Sequence, residues 1–216
     1  MRALRLHKKQ EMLRIAARDL SGLQTLEETT RELTALADAS LQASYRFCRE
    51  ELERQYGPVL VRGGRANGFI VLGMGKLGGE ELNLSSDVDL IYLYESDEAE
   101  SRGGSKGTVA PREFFSRLGE MLTRTMGEIT EEGFVFRIDL RLRPLGRNGP
   151  IVQSVDSALL YYESWGQWWE RSALIKARPV AGNQELGAAF LDQLTPFVYR
   201  RYLDFTTVEE LREMKV

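Results

Sequence analysis

Asp87 and Asp89 stand one residue apart, just past a glycine-rich turn, in the run Val71–Leu90. Along a strand, residues i and i+2 point the same way. A strand here puts both carboxylates on one face, with Val88, Leu90, Tyr92 and Tyr94 on the other, facing a core. Two like charges that close repel unless a cation lies between them. A hard divalent ion, Mg²⁺ or Mn²⁺, that also holds a phosphate resolves the repulsion.

A second segment extends that chemistry. Phe134–Arg143 alternates, with Phe134, Phe136, Ile138, Leu140 and Leu142 on one face and Val135, Arg137, Asp139, Arg141 and Arg143 on the other. One account is an antiparallel strand with a solvated face on which Arg and Asp merely mix. The other makes Asp139 a third carboxylate beside Asp87 and Asp89. Arg141 and Arg143 then offer planar donor forks to phosphate oxygens. Three carboxylates on neighbouring strands can hold one or two metal ions that orient an in-line attack on phosphorus.

Two other phosphate motifs fit less well. Gly73-Met-Gly-Lys-Leu-Gly78 fits the dinucleotide pattern G-x-G-x-x-G, with Glu95 near the expected ribose acid. Only eight residues separate Gly78 from Asp87, too few for a crossover helix. A strand buried on both faces also does not carry Asp-Val-Asp. A P-loop fails because Lys76 is followed by Leu77 and the glycine spacing is wrong. A ligand-free tight turn remains the plain account of the glycines.

The elements around these residues follow from periodicity. The spacing predicts helices over Leu4–Leu20 and from Thr25 to Tyr56, the second opened by Thr25 with Glu27 and Glu28 in its first turn. Gly68–Gly73 is a buried strand, followed by the glycine turn, about two helical turns, and a strand over Asp87–Tyr94. Glu95–Ala110 is polar and glycine-containing, a mobile surface loop. Pro111 opens a helix whose inner side carries Phe114, Phe115, Leu118, Met121, Leu122 and Met126. Phe134–Arg143 is the third strand, and Pro144–Pro150 a loop. Asp156–Trp165, Trp168–Ala177 and Gln184–Tyr199 are helices. The expected class is α+β in three segments: helical 1–57, a sheet core over 68–153, and helical 154–216.

Bulk properties restrict function further. The 216 residues are 43% hydrophobic, enough for one sizeable core. A net charge of −3 argues against broad nucleic-acid binding, so no nucleic-acid partner is expected. No apolar run is long enough to span a membrane, and no signal core follows the charged N-terminus, which makes a cytoplasmic location the default. The single cysteine, Cys48, and single histidine, His7, exclude multi-cysteine and histidine-rich metal sites and disfavour His-based nucleophilic catalysis. An enzyme with this inventory works with Asp and Glu.

With Gly75-Lys76, then Asp87-x-Asp89, then Asp139 on a separate strand, the chain resembles the polymerase β-type nucleotidyltransferase superfamily. It departs from that pattern by carrying Lys76 where serine is usual. It is similar more narrowly to the glutamine synthetase adenylyltransferase (adenylyl-removing) family. The residues that carry this are Gly73–Leu90, Phe134–Pro144, Trp169-Glu-Arg171, Leu174–Arg178, Met12–Ala16 and Leu26–Leu33. The resemblance covers nearly the whole chain.

The resemblance implies a polymerase β-type core and one of two activities. One attaches AMP to a tyrosine of glutamine synthetase using ATP; the other removes it by phosphorolysis, giving ADP. Met74 and the wording Asn83-x-Ser-Ser-Asp87 resemble the removing half. Asp87 and Asp89 are then metal ligands, with Asp139 as third ligand or as the group that activates the nucleophile. Gly75, Lys76, Gly78 and Gly79 approach phosphate, and Ser86 donates to it or simply shapes the turn. Arg141, Arg143 and Lys176 bind phosphate or pair at the surface. A PII-type signal protein is an expected regulator through the full-length enzyme.

The aromatic run Tyr161–Trp169, with its Trp165–Trp169 cluster, is either a helix–helix core or an adenine stack. Thr207–Val216 reads as a helix without a cap, so an excised or truncated domain is expected. The competing functional class is a non-catalytic nucleotide-sensing or partner-binding module, against which the intact Asp87, Asp89 and Asp139 weigh. A polynucleotide polymerase needs a more extended basic surface.

Overall fold

A capping box starts the longest helix, as the sequence predicts. In the computed structural model, which describes residues 1–199, Thr25 Oγ1 accepts from the Glu28 N–H at 3.2 Å, and Glu28 accepts from the Thr25 N–H at 2.7 Å. Helix α2 (Leu26–Tyr56) runs from there and α1 (Arg2–Leu20) packs on it, sharing a core through Ile15 and Leu33. The expectation for Thr207–Val216 lies outside the described residues. Among those residues no helix is long and apolar enough to cross a membrane.

The centre is a mixed sheet. Strand β2 (Phe69–Gly73) pairs antiparallel with β3 (Val88–Tyr94) and, on its other edge, with β7 (Arg178–Gly182). The free edge of β3 takes two short parallel partners in succession: β5 (Ile138–Asp139) near its start and β6 (Val152–Ser154) near its end. Both faces are covered. Phe69, Val71, Leu90 and Tyr92 join the core lined by α2 and α4 (Pro111–Gly127). Ile70, Leu72, Ile91 and Leu93 join a second core with α5 (Val155–Ser164), α6 (Trp168–Leu174) and α7 (Gln184–Val198). The class is α+β.

Several expectations are corrected. The third strand does not run over 134–143; only Ile138 and Asp139 are strand. Val135 and Phe136 are both buried, which a two-residue alternation does not allow. Their N–H groups both bond the Met126 carbonyl, at 2.9 and 3.2 Å, so the chain wraps the end of α4 instead of extending. That carbonyl lies in the last turn of a helix, where acceptors lack intrahelical donors. What strand there is runs parallel to β3, against the account of an antiparallel strand with a solvated face.

Glu95–Ala110 is not a bare loop: β4 (Ala99–Ser101) pairs with β1 (Val59–Val61) in a separate ribbon. The helix expected to Ala177 stops at Leu174, and β7 follows, so the 154–216 segment contributes to the sheet. The helical stretch after the glycine turn is one turn, α3 (Gly75–Gly78).

Candidate active site

The site forms where β3 begins. From Leu90 onward β3 is buried on both faces, so a charged side chain fits only at its first residues. Asp87 and Asp89 occupy that end. The Val88 N–H donates to the Arg137 carbonyl at 2.9 Å, and the parallel register sets Val88 opposite Ile138 and Asp89 opposite Asp139. Asp139 therefore arrives beside Asp89, although its expected strand is mostly absent.

The glycine turn closes over the same point. The Met74 N–H donates to the Asp89 carbonyl at 2.9 Å, and α3 is closed by Gly78 N–H to Met74 and Gly79 N–H to Gly75, both at 3.0 Å. Gly75 has φ +52°, a backbone region that favours glycine. A Cβ there would lie 3.1 Å from Asp89 Oδ2, so the turn runs directly against that carboxylate.

The three aspartates differ in environment. Asp139 accepts from the Arg141 backbone N–H at 2.8 Å and from its Nε at 2.6 Å, and the Arg141 guanidinium is the main cause of its lowered pKa. Asp87 pairs with Arg137 and is about half exposed. Asp89 is part-buried, and its pKa is raised by burial first, then by Asp139 and Asp87, with Arg141 opposing. Among the described residues nothing donates a hydrogen bond to its carboxylate.

The donors present are hard carboxylate oxygens, which suit Mg²⁺ or Mn²⁺. The crowded Asp89 is the group that gains most from such a cation. As placed, no three Asp, Glu, His or Cys of the described residues are gathered into a metal-holding cluster. The outer two aspartates are engaged by arginines, while Asp89 and Asp139 lie side by side.

The remaining predicted residues divide. Lys76 is exposed on the turn. Lys176 reaches the turn from the far side: its Cδ packs where a Gly79 Cβ would be, its carbonyl lies over Gly78, and its ammonium pairs with Glu81. Ser86 Oγ donates to Asn83 Oδ1 at 2.6 Å and accepts from the Asn83 N–H at 3.3 Å, so it shapes the turn.

Arg143 is not aimed at the carboxylates. It donates to the carbonyls of Leu140 (2.8 Å), Pro150 (3.1 Å) and Gly149 (3.1 Å), stapling the 144–150 loop. The aromatic run divides: Tyr162 packs on Phe197 in the helical core with Tyr161 beside it, and Trp168 and Trp169 are half-buried. Trp165 is 71% exposed, and the buried members of that region are Tyr162, Glu170 and Leu174.

Sequence reasoning missed two contacts. Arg178 forks onto Asp38 (2.8 and 3.3 Å) and donates to the Leu77 carbonyl at 3.1 Å, tying α2 and β7 to α3. Arg178 lies in the Leu174–Arg178 motif, but nothing in the sequence pointed to Asp38 as its partner. Arg137 was assigned to the charged face without a role, and its sequence signal is its place two residues before Asp139.

The glutamate-ammonia ligase adenylyltransferase family model matches residues 1–193. Three relatives carry the name bifunctional glutamine synthetase adenylyltransferase/adenylyl-removing enzyme. The chain is 49% identical to that of Thioalkalivibrio sulfidiphilus over 100% of its length, 48% to that of Pseudomonas aeruginosa over 99%, and 47% to that of Nitrosococcus oceani over 100%. It spans 22% of the length of each. With a family model covering most of the chain and relatives near half identity along all of it, the protein belongs to the glutamate-ammonia ligase adenylyltransferase family.

Proposed function

We propose that this chain is a metal-dependent nucleotidyltransferase core that removes AMP from an adenylylated tyrosine of glutamine synthetase by phosphorolysis. The observation that carries this is Asp89. A part-buried carboxylate with Asp139 alongside, Asp87 two residues back and no donor of its own is an arrangement that a bound cation stabilises. Asp87, Asp89 and Asp139 would hold Mg²⁺ or Mn²⁺, which supplies charge neutralisation at the phosphorus when bound.

The chain's own residues supply the rest. The bare backbone at Gly75 would admit a phosphate close to Asp89, with Lys76 exposed on the same turn and Lys176 packed on its far side. Arg141, three-fifths exposed beside Asp139, presents a donor fork to the same space. In the reaction an oxygen of inorganic phosphate forms a bond to the α-phosphorus, and the bond from that phosphorus to the tyrosine oxygen breaks. The proton of hydrogenphosphate ends on the tyrosine, and the products are ADP and free tyrosine hydroxyl. Positioning and electrostatic stabilisation are the catalytic contributions of such a site. The removing direction is supported by Met74 and the Asn83–Asp87 wording of the glycine-turn motif.

The test is ADP release from AMP-tagged glutamine synthetase with phosphate and Mg²⁺, run beside ATP-dependent tagging of the unmodified substrate. ADP release by the wild type and its loss in Asp89→Asn is the expected result. Tagging without removal would reverse the direction, and equal turnover by wild type and Asp89→Asn would overturn the role of the aspartates.

A further inference from the structure

Arg137 sits opposite Asp87 in the parallel register, one step before the Val88–Ile138 pair. Its Nε donates to Asp87 Oδ1 and its Nη2 donates to the Ser85 carbonyl at 3.1 Å. Arg141 holds the corresponding place two residues beyond Asp139, with its Nε 2.6 Å from Asp139 Oδ2. The segment thus reads Arg-x-Asp-x-Arg, and each arginine engages one outer carboxylate of the site. Asp89 lies between them without a donor.

The Arg137 contact is not needed to build the fold. The backbone at this point is already fixed by the Val88 N–H on the Arg137 carbonyl at 2.9 Å. The ion pair is exposed, 62% on Arg137 and 47% on Asp87, and exposed pairs add little stability. Arg143, by contrast, donates only to loop carbonyls. Arg137 uses Nε and Nη2 on protein oxygens, its Nη1 makes no hydrogen bond among the described residues, and a guanidinium fork suits phosphate oxygens.

We propose that Arg137 is a further residue of this site, one that alternates between Asp87 and the attacking phosphate. A divalent ion and the guanidinium compete for Asp87. With Asp87 given over to a cation, Arg137 would lose that partner, and its fork would be free to take a phosphate dianion. This rests on the reading that the aspartates bind a cation, and it adds the specificity for inorganic phosphate.

The experiment is a Mn²⁺ titration of the wild type, Arg137→Gln, Arg137→Lys and Asp89→Asn, with the phosphate KM measured on the same proteins. Removing an exposed pairing charge should tighten Mn²⁺ about threefold in Arg137→Gln, with the difference shrinking at high salt. The phosphate KM should rise about tenfold in the same variant. Arg137→Lys, with charge but no fork, should fall between. Unchanged Mn²⁺ affinity and phosphate KM in Arg137→Gln would make Arg137 a surface pair and end the inference. Equal Mn²⁺ binding by wild type and Asp89→Asn would instead remove the cation site itself, and the inference with it.

Discussion

Gly78→Ala and Gly79→Ala separate two ways of crowding the same turn. At Gly78 an added Cβ would overlap the Lys176 carbonyl oxygen and lie 2.6 Å from the Gly73 oxygen and 3.0 Å from the Lys176 carbonyl carbon. All three are backbone atoms and cannot rotate away. Ordinary carbon contacts need about 3.5 Å, so α3 must lift from the chain entering β7 by roughly an ångström. Overpacking of this kind costs about 1–3 kcal/mol, and replacing glycine by alanine returns less than about 1 kcal/mol in backbone entropy. A net loss of about 1–2 kcal/mol follows, or a Tm drop of about 2–8 °C for a chain of this size.

At Gly79 the atoms met are the Glu81 carboxylate and, at 2.9 Å, Lys176 Cδ, both far along flexible side chains. They can swing aside at the cost of an exposed ion pair, so the change stays within about 0.5 kcal/mol. Urea unfolding followed by tryptophan fluorescence reads both variants. Equal losses in the two would mean that the close approach of α3 to the Lys176 backbone does not constrain the turn.

Three further outcomes follow from the same contacts. Asp89→Asn should abolish turnover yet leave unfolding stability equal or up to about 1 kcal/mol higher, because an ionised carboxylate beside Asp139 and Asp87 works against the fold; a clear loss of stability in a melt would show that Asp89 has a donor after all. Arg178→Met should cost about 1–3 kcal/mol by leaving Asp38 without its donor and the Leu77 carbonyl with only the Glu80 N–H at 3.3 Å, and a double-mutant cycle with Asp38→Asn should give a coupling of at least about 0.5 kcal/mol. Burial raises the pKa of Glu170 above its ordinary 4.5, against hydrogen bonds from Gln167 and Tyr161. A raised carboxylate pKa means the folded state binds the proton more tightly. The stabilisation is full below 4.5 and is lost as pH rises through the folded value. Denaturation at several pH values should show Glu170→Gln gaining on the wild type across that window, and parallel profiles would contradict it.

Legibility in the sequence tracked how local each signal is. The capping box at Thr25 and Glu28, the proline opening α4 and the i, i+2 aspartates of β3 depend on neighbours in the chain, and each lies where the pattern places it. The failures are non-local. Strands β1, β4 and β6 have three residues each, too few to show a period, and their partners lie tens of residues away. Strand β7 pairs with β2 more than a hundred residues earlier, and Arg178 meets Asp38 across 140. The Phe134–Arg143 alternation is present in residue type, but the Met126 carbonyl captures two successive N–H groups and bends the chain, a demand set by the end of α4. Arg143 could not be told from Arg141 by type or spacing, since what separates them is the loop carbonyls within reach of Arg143.

The position of Asp89 and the burial of β3 are consequences of one arrangement. Helical layers cover both faces of β3 from Leu90 onward, which leaves only its first turn of side chains near solvent. Carboxylates placed deeper would lose hydration that no partner there could replace, and carboxylates on a loop would not be held in register with Asp139. At the strand start Asp89 is desolvated enough for the charges beside it to count, while Asp87 stays about half exposed. The flanking arginines each donate to an outer aspartate; at Asp89 Arg141 acts only through space, and neither arginine donates to it. The fold therefore keeps one carboxylate without a hydrogen-bond donor beside a positive-φ glycine whose backbone runs against it, and a lone structural turn requires neither feature.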